Sequence, residues 1–192
     1  MRFIGIDYSM SCPAICIWDS LTFNGDFAVY NCEFYYKTAV KKYDGKWADN
    51  LHGEFIEEWV SPEQRYANCA DWALGLINDS WKSTPVKIML EGYSYGSSVG
   101  MVFNIAENTS ILKNKMWEQG LQFELVAPPA VKKFATGKGT AGKEKMQETF
   151  MEETGVDLKK IFGLSEKAWS PSGDIIDSYY ICKYGATEYF KE

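Results

Sequence analysis

"MRFIGIDYS", residues 1–9, is a short apolar run with two β-branched residues, closed by a carboxylate at Asp7. A run of that length and composition reads as a buried strand. The same construction returns at residues 86–94, "VKIMLEGYS", where the closing acid is Glu91. A third acidic feature lies in "GDIIDSYYI", residues 173–181: Asp174 and Asp177 stand three apart at the start of a helical pattern and so share a face. Singly, each acid has a local explanation as a turn residue, a helix cap or a first-turn charge. Together they are four carboxylates from three distant segments. Such an all-oxygen set suits magnesium or manganese, which would relieve the mutual repulsion of the acids.

Working outward, "PAICIWD" at 13–19 and "DFAVYNCEFYY" at 26–36 supply two more strands, so the chain opens with a three-stranded antiparallel meander. Residues 37–58, "KTAVKKYDGKWADNLHGEFIEE", mix charge and aromatics with weak periodicity and are expected to leave the core as an excursion. Ser61 as N-cap and Pro62 at the first helical position then start a helix, in which Tyr66, Cys69, Ala70, Ala73, Leu74 and Ile77 recur at helical spacing. After the Glu91 strand come a small-residue loop and a helix over about residues 104–119. "LQFELVAPP" at 121–129 adds a strand. A proline-started helix around "VKKF", a helix from about Lys143 to Thr154 and a last helix from Asp174 toward Phe190 complete the chain. The expectation is one α/β domain over residues 1–192, with a mixed five-stranded sheet, three strands antiparallel then two parallel, flanked by helices.

The net charge of -6 over 192 residues argues against indiscriminate nucleic-acid binding. Charge is nevertheless segregated. Residues 132–145 hold Lys132, Lys133, Lys138, Lys143 and Lys145 against Glu144 alone. Within them "GKGTAGKEK", 137–145, fits both G-x-G-x-x-G and the start of a Walker loop. Glu144, however, stands where magnesium needs Ser or Thr, and a helix precedes the loop where a strand is required. No nucleotide cofactor is expected. The lysines and close-approaching glycine N–H groups suit DNA phosphates instead, the competing reading being a glycine hinge with solvated lysines. Five cysteines without C-x-x-C spacing read as buried thiols in a reducing compartment. Without a signal-peptide pattern or a run of about 18 apolar residues, the expectation is a cytoplasmic protein with no membrane partner.

As a set, "FIGIDYS", "IMLEGYS", "VKKFATGKGTAGKEKM" and "GDIIDSYYI" resemble, in order and spacing, the RuvC-type Holliday junction resolvases of the ribonuclease-H-like superfamily. The resemblance covers nearly the whole chain except residues 37–58. It is to a divergent branch, with a viral source expected and hence the host cytoplasm as compartment. It implies that Asp7, Glu91, Asp174 and Asp177 are catalytic and bind two Mg²⁺ or Mn²⁺ ions, that the lysine loop contacts the DNA backbone, and that a homodimer nicks a four-way junction symmetrically. The partner surface would lie on the helix at 104–119, with Met101, Phe103, Ile105, Leu112, Met116 and Trp117 divided between interface and core. Two positions depart from the family. The aromatic expected about three residues after Glu91 is replaced by Ser94, flanked by Tyr93 and Tyr95, either of which suits base stacking. A histidine that some relatives carry near the last acidic pair is missing, since the sole histidine, His52, lies in the unplaced segment. Other ribonuclease-H-like nucleases acting on branched DNA or RNA·DNA hybrids, and a non-catalytic junction-binding protein, stay open. A kinase of the actin and sugar-kinase superfamily would need a second domain.

Overall fold

The computed structural model describes residues 1–82, 84–93 and 99–191. Its strands are β1 (Arg2–Asp7), β2 (Ala14–Asp19), β3 (Cys32–Thr38), β4 (Gly45–Ala48), β5 (Leu51–Phe55), β6 (Val86–Glu91) and β7 (Phe123–Val126). The helices are α1 (Pro62–Trp81), α2 (Val99–Glu118), α3 (Pro128–Thr136), α4 (Lys143–Thr154), α5 (Leu158–Phe162) and α6 (Ser172–Tyr189). The seven strands form one sheet in the order β4-β5-β3-β2-β1-β6-β7. β1, β2 and β3 make the expected antiparallel meander, and β6 and β7 add parallel to β1.

The sheet is two strands wider than the sequence suggests. Residues 37–58 do not leave the core: β5 pairs parallel with β3, and β4 closes the edge antiparallel to β5. β5 hides its period-2 signal because a core-facing position is Gly53. That glycine makes room for Tyr36, whose hydroxyl donates to the Tyr43 carbonyl at 2.6 Å. Its other face carries His52 and Glu54. β3 also starts later than residue 26, because Asn31 Nδ2 donates to the Asp26 carbonyl at 3.1 Å and Tyr30 to its carboxylate at 3.2 Å, folding Val29–Asn31 into a 3-10 turn.

Strand alternation divides the core into two layers. On one face Phe3, Cys16, Trp18, Phe34 and Tyr36 pack against α6, α4 and α5 through Tyr179, Phe150 and Phe162. On the other, Ile4, Ile6 and Ile15 pack against α1 and α2 through Ala73, Ile77, Leu112 and Met116. α1 begins as its sequence dictates, with Ser61 Oγ accepting from Gln64 N–H at 3.3 Å and Pro62 in its first turn. All five cysteines are free and buried. Among the described residues no helix is long and apolar enough to cross a membrane.

Candidate active site

β1 and β6 run parallel and in register through Ile6 and Leu90, so the next residues, Asp7 and Glu91, emerge side by side at one edge of the sheet. α6 brings the other pair. It can lie directly on β1 because residue 5 is glycine: a Cβ there would fall 2.5 Å from the Ser178 carbonyl oxygen and 2.7 Å from Cys182 Cα. Asp177 and Asp174, in the turn just before Ser178, thereby overhang the end of β1. Sequence and packing bring all four predicted acids to one place.

Their electrostatics show the convergence. Asp7 is 5% exposed, and its carboxyl is pushed well above the ordinary range, first by burial and then by repulsion from Glu91, Asp174 and Asp177, against the opposing charge of Lys143. Glu91 is raised by burial and by Asp174, with Lys132 and a hydrogen bond to Asp7 pulling it down. Asp177 is pushed up to about 7 by burial, Glu91 and Asp174, despite Lys132 and Lys143. Asp174 is raised by burial, opposed by Ser170, Lys143, Cys12 and Ser9. It is the acid held by hydroxyls: Ser9 Oγ donates to Oδ1 at 3.3 Å and Ser170 Oγ to Oδ2 at 2.7 Å. Ser9 is itself fixed by the Cys12 N–H at 3.1 Å. Neither serine stands out as a site residue in the sequence; only the fold brings Ser9 and Ser170 to one carboxylate.

The donor chemistry fits a hard divalent cation. The four groups are all carboxylate oxygens, and their repulsion is the kind such an ion neutralises. No three His, Cys, Asp or Glu side chains among the described residues form a closed ligand sphere. If the site takes magnesium or manganese, Asp7, Glu91, Asp174 and Asp177 are the residues that would hold it.

The five lysines of 132–145 do not act alike. Lys132 and Lys143 are the two whose charge reaches the carboxylates. Lys145 pairs with Glu148 at 3.2 Å, and Lys133 and Lys138 are exposed. The loop is anchored: α3 ends on Gly137 in the left-handed region, φ 77°, and the Lys138 N–H bonds Thr136 Oγ1 at 3.2 Å. Tyr93 is 40% exposed, with Lys113 Nζ 5.5 Å from its ring centroid. It lines a cleft of about 290 Å³ together with Asp7, Glu91, Met10, Met101 and Ile105. Ser94 and Tyr95 lie outside the described residues. His52, on β5, bonds Glu33 at 2.9 Å and stacks on Tyr35 at 4.9 Å. A larger cavity, about 400 Å³, opens beside Arg2, but that guanidinium is already engaged by Asp19 at 2.9 Å and the Ser80 carbonyl at 2.8 Å. The smaller cleft is the one that Asp7 and Glu91 line.

No protein-family model matches the chain, and no curated protein matches its sequence. Solved structures do match. Thermus thermophilus RuvC aligns over 100% of this chain and 97% of its own, with TM-score 0.58 and 15% identity. T. thermophilus RuvC in complex with Holliday junction substrate aligns over 99% and 96%, with TM-score 0.57 and 13% identity. The mixed sheet flanked by helices and the whole-length alignment agree: the chain has the ribonuclease-H-like fold of RuvC.

Proposed function

We propose that this protein is a metal-dependent, structure-selective DNA endonuclease that resolves four-way junctions by paired symmetric nicks. The observation that carries the reading is the convergence of Asp7, Glu91, Asp174 and Asp177 at one sheet edge, with Lys132 and Lys143 beside them. The substrate class comes from the neighbour described in complex with a Holliday junction.

The carboxylates supply a fixed negative cradle, with Asp7 centred between the β6 acid and the α6 pair. Bound Mg²⁺ or Mn²⁺, two per site by the family resemblance, would activate water and stabilise the departing 3' oxygen, leaving 5'-phosphate and 3'-hydroxyl ends. Ser9 and Ser170 keep Asp174 in one orientation, so that ligand is already placed before substrate arrives. Lys132 and Lys143 draw the scissile strand's phosphates toward the acids, with Lys133, Lys138 and Lys145 extending the contact along the backbone. Tyr93, at the cleft mouth, offers a ring to an unstacked base.

Comparing a four-way junction, a flap and an RNA·DNA hybrid in Mg²⁺ or Mn²⁺ tests the assignment. Cleavage is expected on the junction first. A preference for the hybrid would make this another ribonuclease-H-like nuclease, and binding without any nick a junction-binding protein.

Two symmetric nicks require two sites, and α2 offers the surface for a second copy. Of the six apolar residues considered for it, Leu112 and Met116 are fully buried in the core, while Met101 and Ile105 line the cleft. Phe103 is 70% exposed and Trp117 is 75% exposed. These rings are 14 positions apart, close to four helical turns, so they share a face about 21 Å long with Ser110 midway. Antiparallel pairing about a two-fold at Ser110 would set each Phe103 against the partner's Trp117, as an isologous interface requires. Changing both rings to Glu is expected to give a monomer in sedimentation that nicks one strand of the junction. An unchanged dimer would remove α2 from the interface.

A further inference from the structure

The segment with no counterpart in the sequence resemblance, net acidic as a whole, places Lys41 and Lys42 at the same edge of the sheet as the carboxylates. β3 runs parallel to β1, two antiparallel steps away, and β5 runs parallel to β3, so the C-terminal ends of all three share that edge. The 3-10 turn Lys41–Tyr43 that follows β3 folds down onto α5. The rings of Tyr43 and Trp47 lie 5.8 and 5.0 Å from that of Phe162, and Lys42 Nζ stands 3.8 Å from where a Cβ on Gly163 would be. From α5, Lys159 lies 3.4 Å over the Trp169 ring and donates to the Glu166 carbonyl at 2.7 Å. The residue after Trp169 is Ser170, which bonds Asp174. A continuous surface therefore leads from Lys42 to the site.

Charge along it is basic in an acidic protein. Lys41, Lys42, Lys159, Lys160 and Lys167 face Asp44, Asp157 and Glu166. Asp44 is taken up by Lys41 at 2.7 Å, and Asp157 caps α5 by accepting the Lys160 N–H at 3.1 Å. Lys42, Lys160 and Lys167 are left exposed. Lys132 and Lys143 occupy the other flank: Lys132 acts on Glu91 at the end of β6, and the Phe134 ring of α3 packs on Tyr184 of α6 at 5.5 Å. The N-terminus of α6, with its two acids, sits between two basic surfaces.

We infer that Lys42, Lys160 and Lys167 form a second DNA-binding site, gripping the sugar-phosphate backbone of a duplex arm on the opposite side of the carboxylates from Lys132 and Lys143. This inference rests on the nuclease reading for the place of the cut, but it concerns binding and is read without cleavage. The experiment is a salt titration of four-way-junction binding by fluorescence anisotropy without divalent metal. It compares the wild type with a Lys42→Ala, Lys160→Ala, Lys167→Ala variant and with a Lys82→Ala, Lys191→Ala control at exposed lysines elsewhere. Removing one lysine–phosphate pairing makes the slope of log K against log salt shallower by about 0.9, so the triple variant is expected to give up about 2 to 3 of the slope, equally for junctions of different sequence. The control should keep the wild-type slope. A triple variant with an unchanged slope overturns the site, as does a control whose slope falls as much. Charge reversal of the same three lysines to Glu guards against a small effect: it must weaken binding further, and failure to do so also overturns the site. If wild-type protein cleaves junctions while the triple variant binds normally, the second site fails and the nuclease reading stands. If the triple variant shows the shallower slope but the wild type never cleaves, the reverse holds.

Discussion

Asp7→Asn is expected to lower junction cleavage on the order of a thousandfold or more while leaving junction binding intact. One preorganised electrostatic group acts on that scale in other enzymes, and Asp7 is the acid that Glu91, Asp174 and Asp177 all press upon. The change keeps volume and removes charge from a 5%-exposed position, so the core around Phe3 and α6 should hold. Removing a negative charge from beside a phosphate should also tighten binding slightly. Rates from a denaturing gel and affinities from anisotropy check the two halves separately. Cleavage at the wild-type rate would take Asp7 out of the chemistry.

The second large effect is on stability. All four carboxyls have folded-state pKa values above their ordinary values, Asp177 at about 7. Between about pH 4 and pH 7 the native state therefore binds more protons than the unfolded chain, and stability falls as pH rises through that window. Metal-free protein should melt higher at pH 5.5 than at pH 8. A divalent cation that binds only the folded form reverses the loss, adding about 2.7 kcal/mol at a hundredfold excess over its Kd. For a domain of this size that is a rise of roughly 5 to 10 °C. Magnesium and manganese should act so, and zinc should have no structural role. Glu91→Gln and Asp174→Asn should each lose much of the metal-induced rise and flatten the pH profile, with metal-free forms no less stable than wild type. Calorimetry at several pH values, with and without metal, decides this. If both variants keep the full rise, or collapse without metal, these acids are structural partners.

The core of this fold is legible in the sequence because its strands are continuous apolar runs. β1 and β6 announce themselves, as does α1 through its Ser61 and Pro62 start. The four acids are legible because Asp7 and Glu91 close apolar strands and Asp174 and Asp177 fall three apart in the opening turns of α6. β4 and β5 are not, because β4 is a four-residue edge strand and β5, with one polar face and Gly53 at a core position, has lost its alternation. α5 escapes notice because five residues are too short to show helical periodicity. α2 starts at Val99, before the apolar pattern that marks it becomes regular. The serines that hold Asp174 come from positions 9 and 170, and the lysine flank from 41–42 and 159–167. Neighbours at such separations are brought together by the packing of α5 and α6 on the sheet, which one-dimensional spacing does not carry.

Asp7, Glu91, Asp174 and Asp177 are proposed to make one site that cuts branched DNA, and a single gel can test this. Wild-type protein and Asp7→Asn are incubated with a synthetic four-way junction, each of its four strands labelled in turn, in Mg²⁺ or Mn²⁺ and in chelator, with products resolved under denaturing conditions. Nicks are expected at symmetric positions in two opposite strands, with ends that a ligase can reseal, and no product from Asp7→Asn or in chelator. Nicks from wild type and Asp7→Asn alike, nicks that persist in chelator, or an uncut junction that the wild type nonetheless binds would contradict it.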